Sequence, residues 1–151
     1  RVSLALFDDT LRKFIPPAST RKHLLELLNT LENTRPGKGT SIIDALKRAN
    51  PLLKRKGTLV ILSDFFCDPA ELFQALNPYI HRGFRIHLFH VLDPAELDLG
   101  DRPLARFIDM ESGEKLSVHP QSLRDAWKKH LNQHIRTLRS LAASRNADYS
   151  Q

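Results

Sequence analysis

Thr58-Leu59-Val60-Ile61-Leu62-Ser63-Asp64 is the stretch on which the fold turns. Leu59 to Leu62 form an unbroken apolar run with no polar alternation, the pattern of a strand buried on both faces of a parallel sheet. Asp68-Pro69 follows, a carboxylate able to cap a helix and a proline suited to its first position. Leu72, Phe73, Leu76 and Ile80 then recur at helical spacing as far as His81-Arg82-Gly83. Phe84 to Leu92 reads as the next buried strand, closed by Asp93-Pro94. Two such strands joined through one helix make a βαβ unit, with a right-handed crossover.

Downstream, Ala105 to Asp109 and Lys115 to Val118 predict a small hairpin through Glu111-Ser112-Gly113-Glu114. Pro120 opens the longest helix, to about Ser144, with Leu123, Trp127, Leu131, Ile135, Leu138 and Leu141 or Ala142 as its stripe. Asp148-Tyr149 begins another strand. Upstream, Val2 to Phe7 reads as a strand, Asp8-Asp9-Thr10 as a turn, and Arg12 to Ile15 as a returning strand stopped by Pro16-Pro17. Thr20 caps a helix from about Arg21 to Glu32, striped by Leu24, Leu27, Leu28 and Leu31. Arg35-Pro36-Gly37-Lys38-Gly39 breaks it. Thr40 stands before a second helix, roughly Ser41 to Lys54, with Ile42, Ile43, Leu46, Ala49 and Leu53 inward and Pro51 ending or kinking it early. This order predicts one α/β domain over residues 1–151, with a mostly parallel sheet and helices on both faces.

The chain of 151 residues is 41% apolar and 26% charged, a globular composition. No apolar run approaches the roughly 20 residues of a membrane span. With no leader and no initiator Met, the chain reads as a piece of a longer protein, cytoplasmic itself although the longer protein could be anchored in a membrane. Its single cysteine, Cys67, excludes an internal disulfide and fits a reducing compartment. The net charge is +6, and many basic residues fall between Arg124 and Arg145, which raises a nucleic-acid-binding reading. They alternate with apolar residues at helical spacing and lack interleaved aromatics, as a solvated helix face does.

Ligands of open α/β sheets bind beyond the carboxyl ends of the strands. Asp8 and Asp9, Asp64, and Asp93 are expected there, with Thr40 and Ser41 at a helix start on the same rim. Hydroxyls and carboxylates are hard donors suited to magnesium, calcium or manganese. The plainer reading is that Thr40 and Asp68 cap helices and Asp93-Pro94 turns the chain. A magnesium-dependent hydrolase or nucleotide-binding domain using Asp8, Asp64 and Asp93 is the enzymatic alternative. Gly37-Lys38-Gly39-Thr40-Ser41 fails as a phosphate loop, since its glycine spacing is wrong and a helix precedes it. His130 and His134 share a helix face and could hold zinc, but no third ligand accompanies them.

Phe7-Asp8-Asp9, Gly37-Lys38-Gly39-Thr40, Ile61-Leu62-Ser63-Asp64-Phe65 and His90-Val91-Leu92-Asp93-Pro94-Ala95-Glu96-Leu97, in that order, resemble the bacterial family of unknown function numbered fifty-eight. The hairpin Phe107-Ile108-Asp109-Met110-Glu111-Ser112-Gly113 and the Tyr149 region match as well. The resemblance implies a Rossmann-like, three-layer von Willebrand factor A-like fold with a metal-dependent adhesion site. By position, Thr40 would supply a hydroxyl ligand and Asp64 would bind the metal, magnesium or manganese, directly or through water. The family's Asp-x-Ser-x-Ser segment occurs nowhere in the 151 residues. In the family it lies upstream on a central strand, so a central first strand is expected to be missing here, with metal binding weak or absent. The exposed edge would favour self-association. The resemblance further implies a non-enzymatic interaction domain working with a MoxR-type AAA+ ATPase in the assembly or activation of other proteins.

Overall fold

The computed structural model describes residues 1–35, 37, 39, 41–97, 105–108, 115–118 and 120–151. The chain divides into two compact units, Arg1–Lys54 and Arg55–Gln151. Together they give a mixed α/β fold with parallel and antiparallel sheet segments and several helices.

In the first unit, strands β1 (Val2–Phe7) and β2 (Leu11–Ala18) pair antiparallel. β2 does not stop at Pro16-Pro17, as the sequence predicts, but runs through them. The pairing steps from Val2↔Ala18 to Leu4↔Ile15, so β2 carries one extra residue where the prolines lie. A bulge in a two-stranded sheet leaves backbone N–H positions unused by the ladder, and proline is tolerated there.

Helix α1 (Arg21–Glu32) starts where Thr20 predicts: the hydroxyl accepts the His23 N–H at 3.1 Å. Its leucine stripe is only partly covered. Leu27 is buried, whereas Leu24, Leu28 and Leu31 are each more than half exposed. His23 is buried instead, and its Nε2 donates to the Val2 carbonyl at 2.7 Å. Helix α2 (Ile42–Ala49) gives way to a 3-10 turn at Asn50–Leu52, earlier than Lys54, because Pro51 cannot donate to the preceding turn. Ile42, Ala45, Leu46 and Ala49 are its buried residues, and α2 packs on the hairpin.

In the second unit, β3 (Thr58–Ser63), helix α3 (Pro69–His81) and β4 (Arg85–His90) form the expected βαβ element. Asp68 Oδ1 accepts the N–H groups of Ala70 and Glu71 at 2.8 and 3.0 Å, a cap contributing about 1 kcal/mol. Gly83, at φ +77°, ends α3: the Gly83 N–H reaches the Ile80 carbonyl and the Phe84 N–H the Tyr79 carbonyl, a turn that a β-carbon would strain. A short helix α4 (Pro94–Leu97) follows β4. Strands β5 (Ala105–Ile108) and β6 (Lys115–Val118) pair antiparallel as expected; the residues that join them lie outside those described. Helix α5 (Pro120–Ser144) and strand β7 (Asp148–Ser150) close the unit, with β3, β4 and β7 parallel in that spatial order.

The core lies between this sheet and helices α3 and α5, which pack on each other. Ile61, Ile86 and Leu88 face Leu72, Phe73, Leu76, Tyr79, Leu131, Ile135, Leu138 and Ala142, all buried. Burying each large apolar side chain contributes about 1.5–3 kcal/mol. The opposite sheet face differs from the expectation of burial on both sides: Val60, Leu62 and Phe89 are 48%, 64% and 42% exposed. Residues alternate between faces along a strand, and within this unit α3 and α5 lie on the face of Ile61, Ile86 and Leu88. The order β3-β4-β7 carries no mark of a missing central strand. Among the described residues no helix is long and apolar enough to cross a membrane.

Candidate functional site

Asp64 stands at the carboxyl end of β3, in a turn built by its neighbours. Its Oδ1 accepts the Ser63 hydroxyl at 3.3 Å and the Phe66 N–H at 3.4 Å. The Ser63 hydroxyl oxygen accepts the Phe65 N–H at 3.1 Å, and the Cys67 N–H donates to the Phe65 carbonyl at 2.7 Å. Phe65 is fully buried and has φ 49°, a left-handed conformation that costs a bulky residue about 1–3 kcal/mol. Such strain persists only where the surroundings over-determine it, and the buried ring and these hydrogen bonds do so.

Beneath this turn lies a ring cluster. His90, the last residue of β4, is 3% exposed and meets Phe65 edge-on with ring centroids 5.6 Å apart. Its Nδ1 hydrogen-bonds the Tyr149 hydroxyl of β7 at 2.5 Å. His134 of α5 lies edge-on to His90 at 6.4 Å, and its Nε2 donates to the Phe65 carbonyl at 2.9 Å. A carbonyl only accepts, so this bond places the proton on Nε2. That bond occupies only the Nε2 of His134; the zinc reading lacks a third ligand, since among the described residues no three His, Cys, Asp or Glu side chains are grouped to hold a metal.

Burial holds the His90 pKa below its ordinary value of 6.5 despite the Asp64 backbone carbonyl beside it, and His90 Nε2 is buried with no hydrogen-bond partner in good geometry. A group with a lowered native pKa contributes its full stability above the unfolded value and loses it as pH falls through the native one. The melting temperature is therefore expected to fall as pH drops below the ordinary value of 6.5, and His90→Gln should flatten that slope. Equal slopes in the two proteins would exonerate His90.

Cys67 is the thiol beside the turn. Burial, then the charges of Asp64, Asp68 and Glu71, push its pKa up to about 11, so it stays protonated and unreactive at neutral pH. The same three carboxylates give the strand end a negative potential that suits a cation.

At the end of β1, Asp8 accepts from the Thr10 N–H at 3.2 Å and pairs with Arg12. Although desolvation pushes its pKa up, the Asp9 side chain, Arg12 and Thr10 outweigh it and hold the carboxyl below the ordinary value. Asp9, as the hydrogen-bond partner of Asp8, is raised. The Asp8 carbonyl accepts the Ser41 N–H at 2.8 Å, and a β-carbon at Gly37 would overlap the Asp8 carboxylate. Asp8 thus braces the loop into α2 and is committed to Arg12, which weakens its claim as a catalytic carboxylate.

Thr40, the expected hydroxyl ligand, lies outside the described residues. Asp93 follows β4, and its carbonyl accepts the Leu97 N–H. Among the described residues no three His, Cys, Asp or Glu side chains are grouped to hold a metal. Asp64 and Ser63 offer hard oxygens of the right kind, too few for a six-coordinate cation without many waters. In the basic stretch, Arg139 and Arg145 lie over the rings of Tyr149 and Phe73, at 5.5 and 5.3 Å from their centroids. Those two guanidinium groups pack on the protein's own rings, which weakens the nucleic-acid reading.

Sequence reasoning placed Asp64 at the end of β3, where it stands, but missed the burial of His90 and the backbone conformation of Phe65. For His90 a signal existed, since Ile86, Leu88 and His90 alternate onto one strand face. For the left-handed Phe65 there was none, as the residue type disfavours that conformation.

The description "protein of unknown function DUF58" matches residues 1–137. No curated protein and no solved structure matches the chain. The chain belongs to the family DUF58.

Proposed function

We propose that this chain is the larger part of a non-enzymatic protein-interaction domain of von Willebrand factor A type, whose strand-end rim holds half of a metal-dependent adhesion site. The observation that carries the reading is the Asp64 turn: a half-buried carboxylate at the end of a parallel strand, over-determined in position and set in a negative local potential. In the family's pattern Thr40 supplies a hydroxyl ligand beside Asp64, and an Asp-x-Ser-x-Ser segment from outside these 151 residues supplies the rest. Magnesium or manganese bound there would offer an open position to an acidic side chain of a partner. A MoxR-type AAA+ ATPase is the partner this reading favours, with a role in the assembly or activation of other proteins.

Calorimetric titration with magnesium and manganese tests the reading, on this chain and on one extended by the upstream segment. Binding confined to the longer chain supports it. Equally tight binding by both, or none by either, refutes it.

Self-association belongs to the same proposal. Val60, Leu62 and Phe89 form an exposed apolar face, and β3 has an edge that pairs with no described strand. Open edges and apolar faces invite another chain. Sedimentation of the 151-residue chain is expected to show concentration-dependent association, and a monomer across the micromolar range would refute it.

A further inference from the structure

We propose that His134 is the positioning residue of the Asp64 turn, pinning it to helix α5 through the bond from its Nε2 to the Phe65 carbonyl; this rests on the metal-site reading above. Several polar contacts hold the backbone on either side of Asp64. Three are local: the Phe65 N–H to the Ser63 hydroxyl, the Phe66 N–H to Asp64 Oδ1, and the Cys67 N–H to the Phe65 carbonyl. From other elements, the Val91 N–H just after β4 reaches the Ser63 carbonyl at 2.9 Å, before Asp64, and the His134 bond reaches the Phe65 carbonyl, after it, across 69 residues of sequence.

Its consequence follows from the conformation of Phe65. A left-handed, bulky residue relaxes toward ordinary backbone angles when its restraints weaken, and Asp64, one residue earlier, moves with it. The buried Phe65 ring restrains the side chain, while the carbonyl direction depends on the two N–H groups that share it. His134 is itself held: its ring meets His90, and His90 is hydrogen-bonded to Tyr149 of β7. The position of Asp64 is thereby tied to α5, β4 and β7 together. Outer groups that orient a metal ligand typically matter about 10–100-fold in affinity.

The experiment uses the full-length protein carrying His134→Leu or His134→Gln, with amide hydrogen exchange and manganese titration as the two readouts. His134→Leu is expected to speed exchange at Phe66 and Cys67 about tenfold and to weaken manganese binding by about the same factor, within the range for orienting groups. Amides of α3 report whether the variant folds and should be unchanged. His134→Gln, whose terminal NH2 can replace the Nε2 donor, should restore both readouts. Unchanged exchange at Phe66 and Cys67 in folded His134→Leu, or no rescue by His134→Gln, overturns the proposal. If the wild type takes up no manganese, the metal reading falls, and the exchange arm still decides whether His134 pins the turn.

Discussion

Leu138→Ala is expected to destabilise the Arg55–Gln151 unit by about 3 kcal/mol, within the range for fully buried leucines. Leu138 has no exposed surface and sits on α5 at the centre of the packing between α3 and the parallel sheet. Truncation removes the transfer free energy of its methyl groups and leaves a cavity that the rigid sheet and two helices cannot close. For a unit of this size the melting temperature should fall by about 10–20 °C. Leu24→Ala on α1 is the informative contrast. It is also a stripe leucine, but 54% exposed, and its cost should stay within about 0.5 kcal/mol. Urea unfolding of the two variants checks both numbers. A loss below about 1 kcal/mol for Leu138→Ala would show that α5 is not packed as described.

Under the proposed reading, Asp64→Ala is expected to lower manganese affinity by about a hundredfold or more in a chain extended to include an Asp-x-Ser-x-Ser segment. Groups that merely orient ligands already matter up to about that much, and a carboxylate ligand supplies charge as well as position. Thr40→Ala should lower it less, because a neutral hydroxyl contributes no charge. Asp64 Oδ1 also accepts from Ser63 and Phe66, so the variant should lose about 1 kcal/mol of stability, too little to unfold the protein. Calorimetric titration beside a melting curve separates the two effects. Unaltered manganese binding by a folded Asp64→Ala protein would remove Asp64 from the site.

Much of the fold was legible because its signals are local. Thr20 and Asp68 cap the helices that follow them, and the Pro120–Ser144 helix has the predicted bounds. The parallel pairing of β3 with β4 follows from a helix too long for a hairpin turn. Asp64 was legible by the same logic, as a carboxylate at a strand end. Its supports were not, because Phe65 takes a conformation its residue type disfavours and His134 contributes from 69 residues away.

Caps, periodicity and proline placement are properties of a few neighbouring residues, so sequence by itself determined where helices and strands begin and which stripes are apolar. Which stripes are covered was decided only in the tertiary structure. Leu27 is buried while Leu24 and Leu28 are not, and Ile61 is buried while Val60 and Leu62 are not. The same holds for β2, which continues through Pro16-Pro17 because it bulges there against β1. It holds for His134, whose hydrogen bond depends on the Phe65 carbonyl lying beside it. Burial and long-range hydrogen bonds depend on what lies opposite a residue in space, and no local pattern records that.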